Sequence, residues 1–319
     1  MAGRALRAND QVLFFSMCRI GYAIDFENHK LQDRLMSTDD AKGYTVALNK
    51  KLLQIEYLNE IANEIKHSQS KEFIKNKLSY LLEFYDLLNF SFSYETPYFR
   101  ARKTIDGKPY VSTSDTYYPP NNLTSAGRLN EKGDSFLYLS MSLDTALSEI
   151  NATDGDIVQV SAYVTKRKSL TLGVIGEFYR SSRGSASLLD KDHSFKISNF
   201  VRELSIKDRG LALSFLYTDL FFDEILRSQD AVKNEYIHSR ILSKLIFEKY
   251  PFLDGLIYHS VASAANFNLG LPNAKADSAI ALKSTMLMKI KKRYPYELYD
   301  IEPYKTPIEI KKNGDILWD

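Results

Sequence analysis

The feature that most constrains the fold is a change of character near Tyr94. Before it, apolar residues recur at helical spacing. After it, short strand-like pieces follow one another too closely for a regular doubly wound sheet. Residues 49–64 put Leu52, Leu53, Ile55, Leu58, Ile61 and Ala62 at helical spacing, and residues 70–90 do the same with Phe73, Ile74, Leu78, Leu81, Leu82 and Tyr85. Ser70 is placed to cap the second of these helices. No strand-like alternation is apparent before Phe92.

Beyond the change, strands are expected at 98–101, 136–139, 157–164, 169–174 and 255–259, separated by turn signals such as IDGKP, YYPPNN and NATDGD. Helical patterns return at 144–150 and 233–249, and SVASAANFNLGLP reads as a loop. From Met286 on, Pro295, Pro303 and Pro307 interrupt any long element. Mixed short strands after a helical preface read as α+β. The expected divisions are a helical N-terminal region over 1–92, regulatory or oligomerising, a mixed α+β domain over 93–285, and a C-terminal extension over 286–319 packed on that domain.

Several classes of function are excluded. A formal net charge of +2 gives no bulk attraction to nucleic acid. The single cysteine, Cys18, allows no intrachain disulfide and no cysteine metal cluster, and its apolar neighbours make it an expected core thiol. The five histidines (His29, His67, His193, His238 and His259) show no metal-ligand spacing such as HExxH, so no metal is expected. No apolar run is long enough to span a membrane, and MAGRALRANDQ lacks the core of a signal peptide, which points to a reducing cytoplasm. Neither a Rossmann GxGxxG after a strand nor a P-loop occurs.

Four pieces of sequence carry chemistry. Arg100 and Arg102, in FRAR, alternate on one face of an expected strand and could both point into an anion site, although an isolated RxR is more often an exposed basic edge. Arg128 sits on a glycine-led turn, Gly127 to Asn130, where an arginine fork suits phosphate; taken alone, this is an ordinary turn with a surface arginine. Tyr138 on LYL leads to a short helix with Glu149 near its apolar side, where a carboxylate needs a reason to be present; the alternative is a solvated glutamate or one paired to a lysine. Ser260 ends the strand GLIYH and is followed by Asn266. Without a GxSxG elbow Ser260 is not a hydrolase nucleophile.

The order and spacing of these pieces resemble the RES domain family, named for its Arg, Glu and Ser. The matching text is FRAR at 99–102, PP before AGRLN at 126–130, GDSFLYLSMSLDTALSEI at 133–150 and DGLIYHS at 254–260. Tyr138 lies ten positions after Arg128 and Glu149 eleven after Tyr138, the family's usual layout. The segment 176–233 is longer than expected between the family's blocks.

The resemblance implies an ADP-ribosyltransferase-like fold, with a mixed, split β core, surrounding helices and an NAD⁺ cleft. It also implies an NAD⁺-degrading, toxin-like enzyme that cleaves the nicotinamide–ribose bond, with inorganic phosphate as co-substrate and no cofactor beyond NAD⁺ as substrate. Glu149 would steady the cationic ribose, Arg128 and Arg100 would bind phosphate groups, and Tyr138, Ser260, Arg102 and Asn266 would line or shape the cleft. Implied partners are a helix-turn-helix antitoxin or the chain's own N-terminal helices covering the cleft, and a second copy in a homodimer. The competing readings are ADP-ribosyl transfer to a macromolecule and a non-catalytic nucleotide-binding module.

Overall fold

The computed structural model describes residues 54–93, 96–185, 187–189, 191–262 and 266–318. Cys18, His29, residues 49–53 of the first expected helix and the N-terminal MAGRALRANDQ lie outside the described residues.

Two helices open the described chain, α1 (Ile55–His67) and α2 (Lys71–Phe84). Ser70 caps α2 as its position suggested, its hydroxyl accepting from the Phe73 amide at 3.3 Å. The helical reading of 70–90 runs too far. Residues Leu88–Phe92 form a strand, β1, in which Leu88, Phe90 and Phe92 are buried in alternation. The short apolar run after Tyr85 fits both periods, and tertiary pairing with a neighbouring strand decides between them.

The following elements are β2 (Tyr98–Lys103), α3 (Thr113–Thr116), β3 (Phe136–Ser140), α4 (Leu143–Glu149), β4 (Ile157–Thr165) and β5 (Leu170–Val174). The long segment after them is helical: α5 (Glu177–Ser182), α6 (Lys191–Lys207), α7 (Arg209–Arg227) and α8 (Ile237–Lys249). It connects β5 to β6 (Gly255–His259), which run parallel. A parallel pair needs such a crossover, which accounts for the length of the segment. Then come β7 (Phe267–Pro272), α9 (Asn273–Ala279), β8 (Ile280–Tyr294), β9 (Leu298–Lys305), β10 (Pro307–Ile310) and β11 (Ile316–Trp318).

Two expectations about this last part fail. The stretch read as a loop after β6 contains β7, whose FNLGL is buried throughout. The boundary at 285/286 falls inside β8, a 15-residue strand that pairs with β4 along most of its length. Pro295 follows the end of β8 and Pro307 opens β10 as expected, but Pro303 lies within β9 without interrupting it, since β9 is at one end of the sheet, where a missing N–H is tolerated.

Nine strands form one mixed sheet in the order β1-β5-β6-β7-β3-β2-β4-β8-β9. Its continuity is weakest in the middle, where β2 and β3 share one register pair, Phe99↔Ser140. Two apolar clusters pack against the sheet, and the first reaches across the seam through Tyr98, Tyr163 and Ile280. It joins β1, β5, β6, β7 and β3 with α1, α2 and the crossover helices. A second lies under α4 and joins Phe99, Val158, Val160, Met286 and Met288 from β2, β4 and β8. The N-terminal helices thus share a core with one half of the sheet. Tyr85 makes the point locally: its hydroxyl donates to the buried carboxylate of Asp219 on α7 at 2.6 Å.

Candidate active site

The seam between β2 and β3 opens into a cleft of about 300 Å³, within the range that holds small ligands. Arg100 reaches it from β2, Tyr138 from β3, Glu149 from α4 and Arg128 from the turn before β3. Four residues read from the sequence therefore meet, although 49 positions separate the first and last.

Glu149 is the last residue of α4, and it is exposed rather than set against the apolar side of the helix. The apolar side belongs to Leu143, Ala146 and Leu147. The helix starts on Ser142, whose hydroxyl accepts from the Thr145 amide at 3.2 Å. It stops in a Schellman turn: Asn151 takes a left-handed φ of 47°, its amide bonds Ser148 O at 2.9 Å, and the Ala152 amide bonds Leu147 O at 3.0 Å. A carboxylate at the negative end of a helix is electrostatically misplaced. It is compensated by two donors to one oxygen: Ser260 Oγ donates to Glu149 Oε1 at 2.7 Å, and the Asn268 side-chain amide donates to the same Oε1.

Asn268 is itself fixed, because Ser140 Oγ donates to its Oδ1 at 2.8 Å. Ser140 and Asn268 face each other across β3 and β7. Ser260 is 3 % exposed, and its oxygen also accepts from the Ala262 amide. The Ser260 hydroxyl, by donating to the carboxylate, helps to hold it in place.

The two cleft arginines are held differently. Arg100 donates to the Tyr138 carbonyl at 3.2 Å, while its buried Nε has no partner among the described residues. Burial pushes its guanidinium pKa down from the usual value. Arg128 donates to the carbonyls of Leu226 and Ser228 at the C-terminal end of α7 and lies over the ring of Tyr236, 5.4 Å from its centre. Neither pairs with a carboxylate of the described residues. Two guanidinium groups against the single carboxylate of Glu149 leave the cleft lining with an excess of positive charge, which favours an anion.

Tyr138 serves a structural purpose with its hydroxyl. It donates to Asn130 Oδ1 and accepts from the Leu129 amide, both at 2.8 Å, and so locks the turn that carries Arg128. Burial raises its pKa well above the ordinary tyrosine value. Two glycines let this arrangement close. A Cβ on Gly127 would sit 2.4 Å from Asn130 Oδ1, and one on Gly270 would sit 2.3 Å from Leu129 Cδ1.

Arg102 and Asn266 do not line the cleft. Arg102 shares a strand face with Arg100, as alternation requires, but its guanidinium lies over the Tyr110 ring at 4.5 Å and donates to the Asp115 carbonyl. Asn266 contributes its backbone carbonyl, which accepts from the Ser260 amide at 2.9 Å. The side chain that reaches Glu149 belongs to Asn268, two positions on. A buried asparagine in the apolar run FNLGL was the signal for it. Tyr236 and Tyr258 also line the cleft. Tyr258 belongs to DGLIYHS but was not singled out there, and Tyr236 lies in none of the matching pieces.

No residue of α1 or α2 lines the cleft, so the described N-terminal helices do not cover it. Among the described residues no group of three or more His, Cys, Asp or Glu could hold a metal ion, and no helix is long and apolar enough to cross a membrane.

A family model described as the RES domain matches residues 97–296, more than half of the chain. The chain belongs to the RES domain family. The match contains all of the cleft residues named above and ends at the turn between β8 and β9. No curated protein and no solved structure matches the chain. RES membership supports an NAD-related, toxin-like function in general.

Proposed function

We propose that this RES protein degrades NAD⁺ by cleaving the bond between nicotinamide and ribose, with inorganic phosphate as acceptor. The products would be nicotinamide and ADP-ribose 1″-phosphate. The observation that carries this reading is the placement of Glu149 in a cleft with two arginines that lack a carboxylate partner.

Nicotinamide leaves a cationic ring as a neutral molecule, taking the electrons of the broken C–N bond, so little acid assistance is needed. The barrier lies in the oxocarbenium-like ribose. With Oε1 engaged by Ser260 and Asn268, the second oxygen of Glu149 remains to hold ribose hydroxyls and balance the developing positive charge. Arg100 and Arg128 suit the pyrophosphate and the attacking phosphate, whose oxygen forms the new bond to the anomeric carbon. Tyr138 holds Arg128's turn and offers its ring to the cleft wall. Ser260 acts through Glu149, while Arg102 and Asn266 have only supporting parts. A helix-turn-helix antitoxin that plugs the cleft, as the resemblance implies, would meet these same groups.

A time course of NAD⁺ consumption by the purified protein, with and without phosphate and with products resolved by mass, tests the proposal. Phosphate-dependent loss with a sugar-phosphate product is expected. Phosphate-independent release of ADP-ribose would make the enzyme a glycohydrolase, and absence of loss under both conditions would remove the reading.

A further inference from the structure

Between the 3₁₀ turn Gln229–Asn234 and α8, two consecutive non-glycine residues adopt left-handed backbone, Glu235 with φ 47° and Tyr236 with φ 59°. For residues with a Cβ, and most of all for a bulky tyrosine, this conformation costs free energy and persists only where neighbours over-determine it. They do so here. The Tyr236 amide donates to Ala231 O at 2.7 Å, and its carbonyl accepts from the Arg240 amide at 2.9 Å and from Ser239 Oγ at 3.2 Å. The conformation delivers the Tyr236 ring into the cleft wall, against the guanidinium of Arg128.

Arg128 has a long, flexible side chain, and its turn fixes only its backbone. Two anchors fix the head. The carbonyls at the end of α7 take the hydrogens of Nη1, and the ring of Tyr236 supports the guanidinium from another side. An arginine immobilised before the ligand arrives loses less entropy on binding than a free one.

We propose that Tyr236 is the positioning residue for Arg128, and that its strained backbone is retained to set the cleft's affinity for the diphosphate part of a dinucleotide. The naming of a dinucleotide rests on the proposed NAD⁺ reading; the anion-positioning role rests on the geometry alone. The role needs the ring face and not the hydroxyl.

Tyr236→Gly and Tyr236→Phe test it together. Glycine accepts the left-handed backbone without strain, so Y236G melts within about 5 °C of the parent. Its KM for NAD⁺ rises about tenfold while kcat changes less than about twofold, the pattern of lost binding rather than lost chemistry. Y236F restores the parent KM. Inorganic pyrophosphate, titrated calorimetrically, gives a readout free of turnover: Y236G weakens its binding and Y236F does not. A Y236G variant that binds pyrophosphate within about twofold of the parent overturns the proposal. So does a Y236F variant as impaired as Y236G. Failure of the parent protein to consume NAD⁺ would defeat the proposed reaction while the pyrophosphate titration still decides the role of Tyr236. Failure of the parent to bind pyrophosphate would defeat the positioning role itself.

Discussion

Ser260 at the end of β6 donates its hydroxyl proton to Oε1 of Glu149 at the end of α4, across 2.7 Å. The contact joins two elements 111 positions apart and settles which oxygen of the carboxylate is occupied. With Asn268 on the same atom, Glu149 is held through one oxygen while the other is left for chemistry.

Glu149→Gln keeps an oxygen able to accept from Ser260 and Asn268 but removes the charge. Nicotinamide release should fall by about 10²–10³-fold with the melting temperature nearly unchanged. Full activity in this variant would exclude a charge role for Glu149.

Ser260→Ala and Asn268→Ala each remove one donor from the carboxylate. Each should lower kcat by about tenfold, and neither should abolish it, because one donor remains. Mass spectrometry of the parent protein during turnover should show no adduct on Ser260. A covalent sugar adduct there would assign Ser260 a nucleophilic role in place of the positioning one.

Gly127→Ala places a Cβ 2.4 Å from Asn130 Oδ1 and forces the turn of Arg128 apart. A cost of about 1–3 kcal/mol is expected, together with a raised KM. Tyr138→Phe attacks the same turn chemically, leaving the Leu129 amide and Asn130 Oδ1 without their shared partner. Denaturant melts and KM values of the two variants should move together.

Glu177 is buried, and desolvation pushes its carboxyl up to about 7 despite the donors Ser187 Oγ and Leu188 N. Asp219, on α7, is raised by the same cause to about 6. Their folded values exceed those of the unfolded chain, so the folded state binds more protons in between. Their stabilising contribution is full below the ordinary carboxylate range and is lost as pH rises through about 6 to 7. His259 acts in the opposite sense: burial lowers its pKa, which penalises the folded state as pH falls below the ordinary histidine value. Glu177→Gln isolates the first effect. Relative to the parent it should gain on the order of 2–3 kcal/mol between pH 5 and pH 8. Urea midpoints at the two pH values check this, and a constant difference would contradict it.

Deleting residues 54–92 removes α1, α2 and β1, and with them Tyr85 from the carboxylate of Asp219. Apolar faces of α7 and α8 would be bared, and the truncated chain should be insoluble or lack a cooperative melt. A soluble, cooperatively melting fragment would show the RES span to be self-sufficient. We propose accordingly that the described N-terminal helices belong to the folding unit of that span and are not a detachable regulator.

Much of the site was legible because its chemistry is local in the chain. Gly127, Arg128, Asn130, Tyr138 and Glu149 lie within 23 residues, and the strand expected at 136–139 is β3, although Glu149 does not face the apolar side of its helix. Asn268 was not legible in the same way. It belongs to a strand whose buried FNLGL has no alternation, and only its pairing with Ser140 shows the direction of its amide. Tyr236 depends on a positive φ that no residue type announced. For β1, five residues of mixed period were absorbed into the preceding helical pattern, because the partner that makes them a strand, β5, lies about 80 positions away. The α+β class was visible from the spacing of the short strands. The order of nine strands was not, since register is a property of pairs.

The single register pair between β2 and β3 has a consequence for how activity arises during synthesis. Arg100 emerges from the ribosome early, Asn268 much later, and β8 and β9, which complete the sheet half carrying β2, later still. A seam this narrow gives the early half little means of aligning itself before its neighbours arrive. The cleft is therefore complete only once β7 has joined the sheet. For a chain that consumes NAD⁺ as proposed, synthesis short of β7 yields no assembled site, and a restraint has that interval in which to arrive.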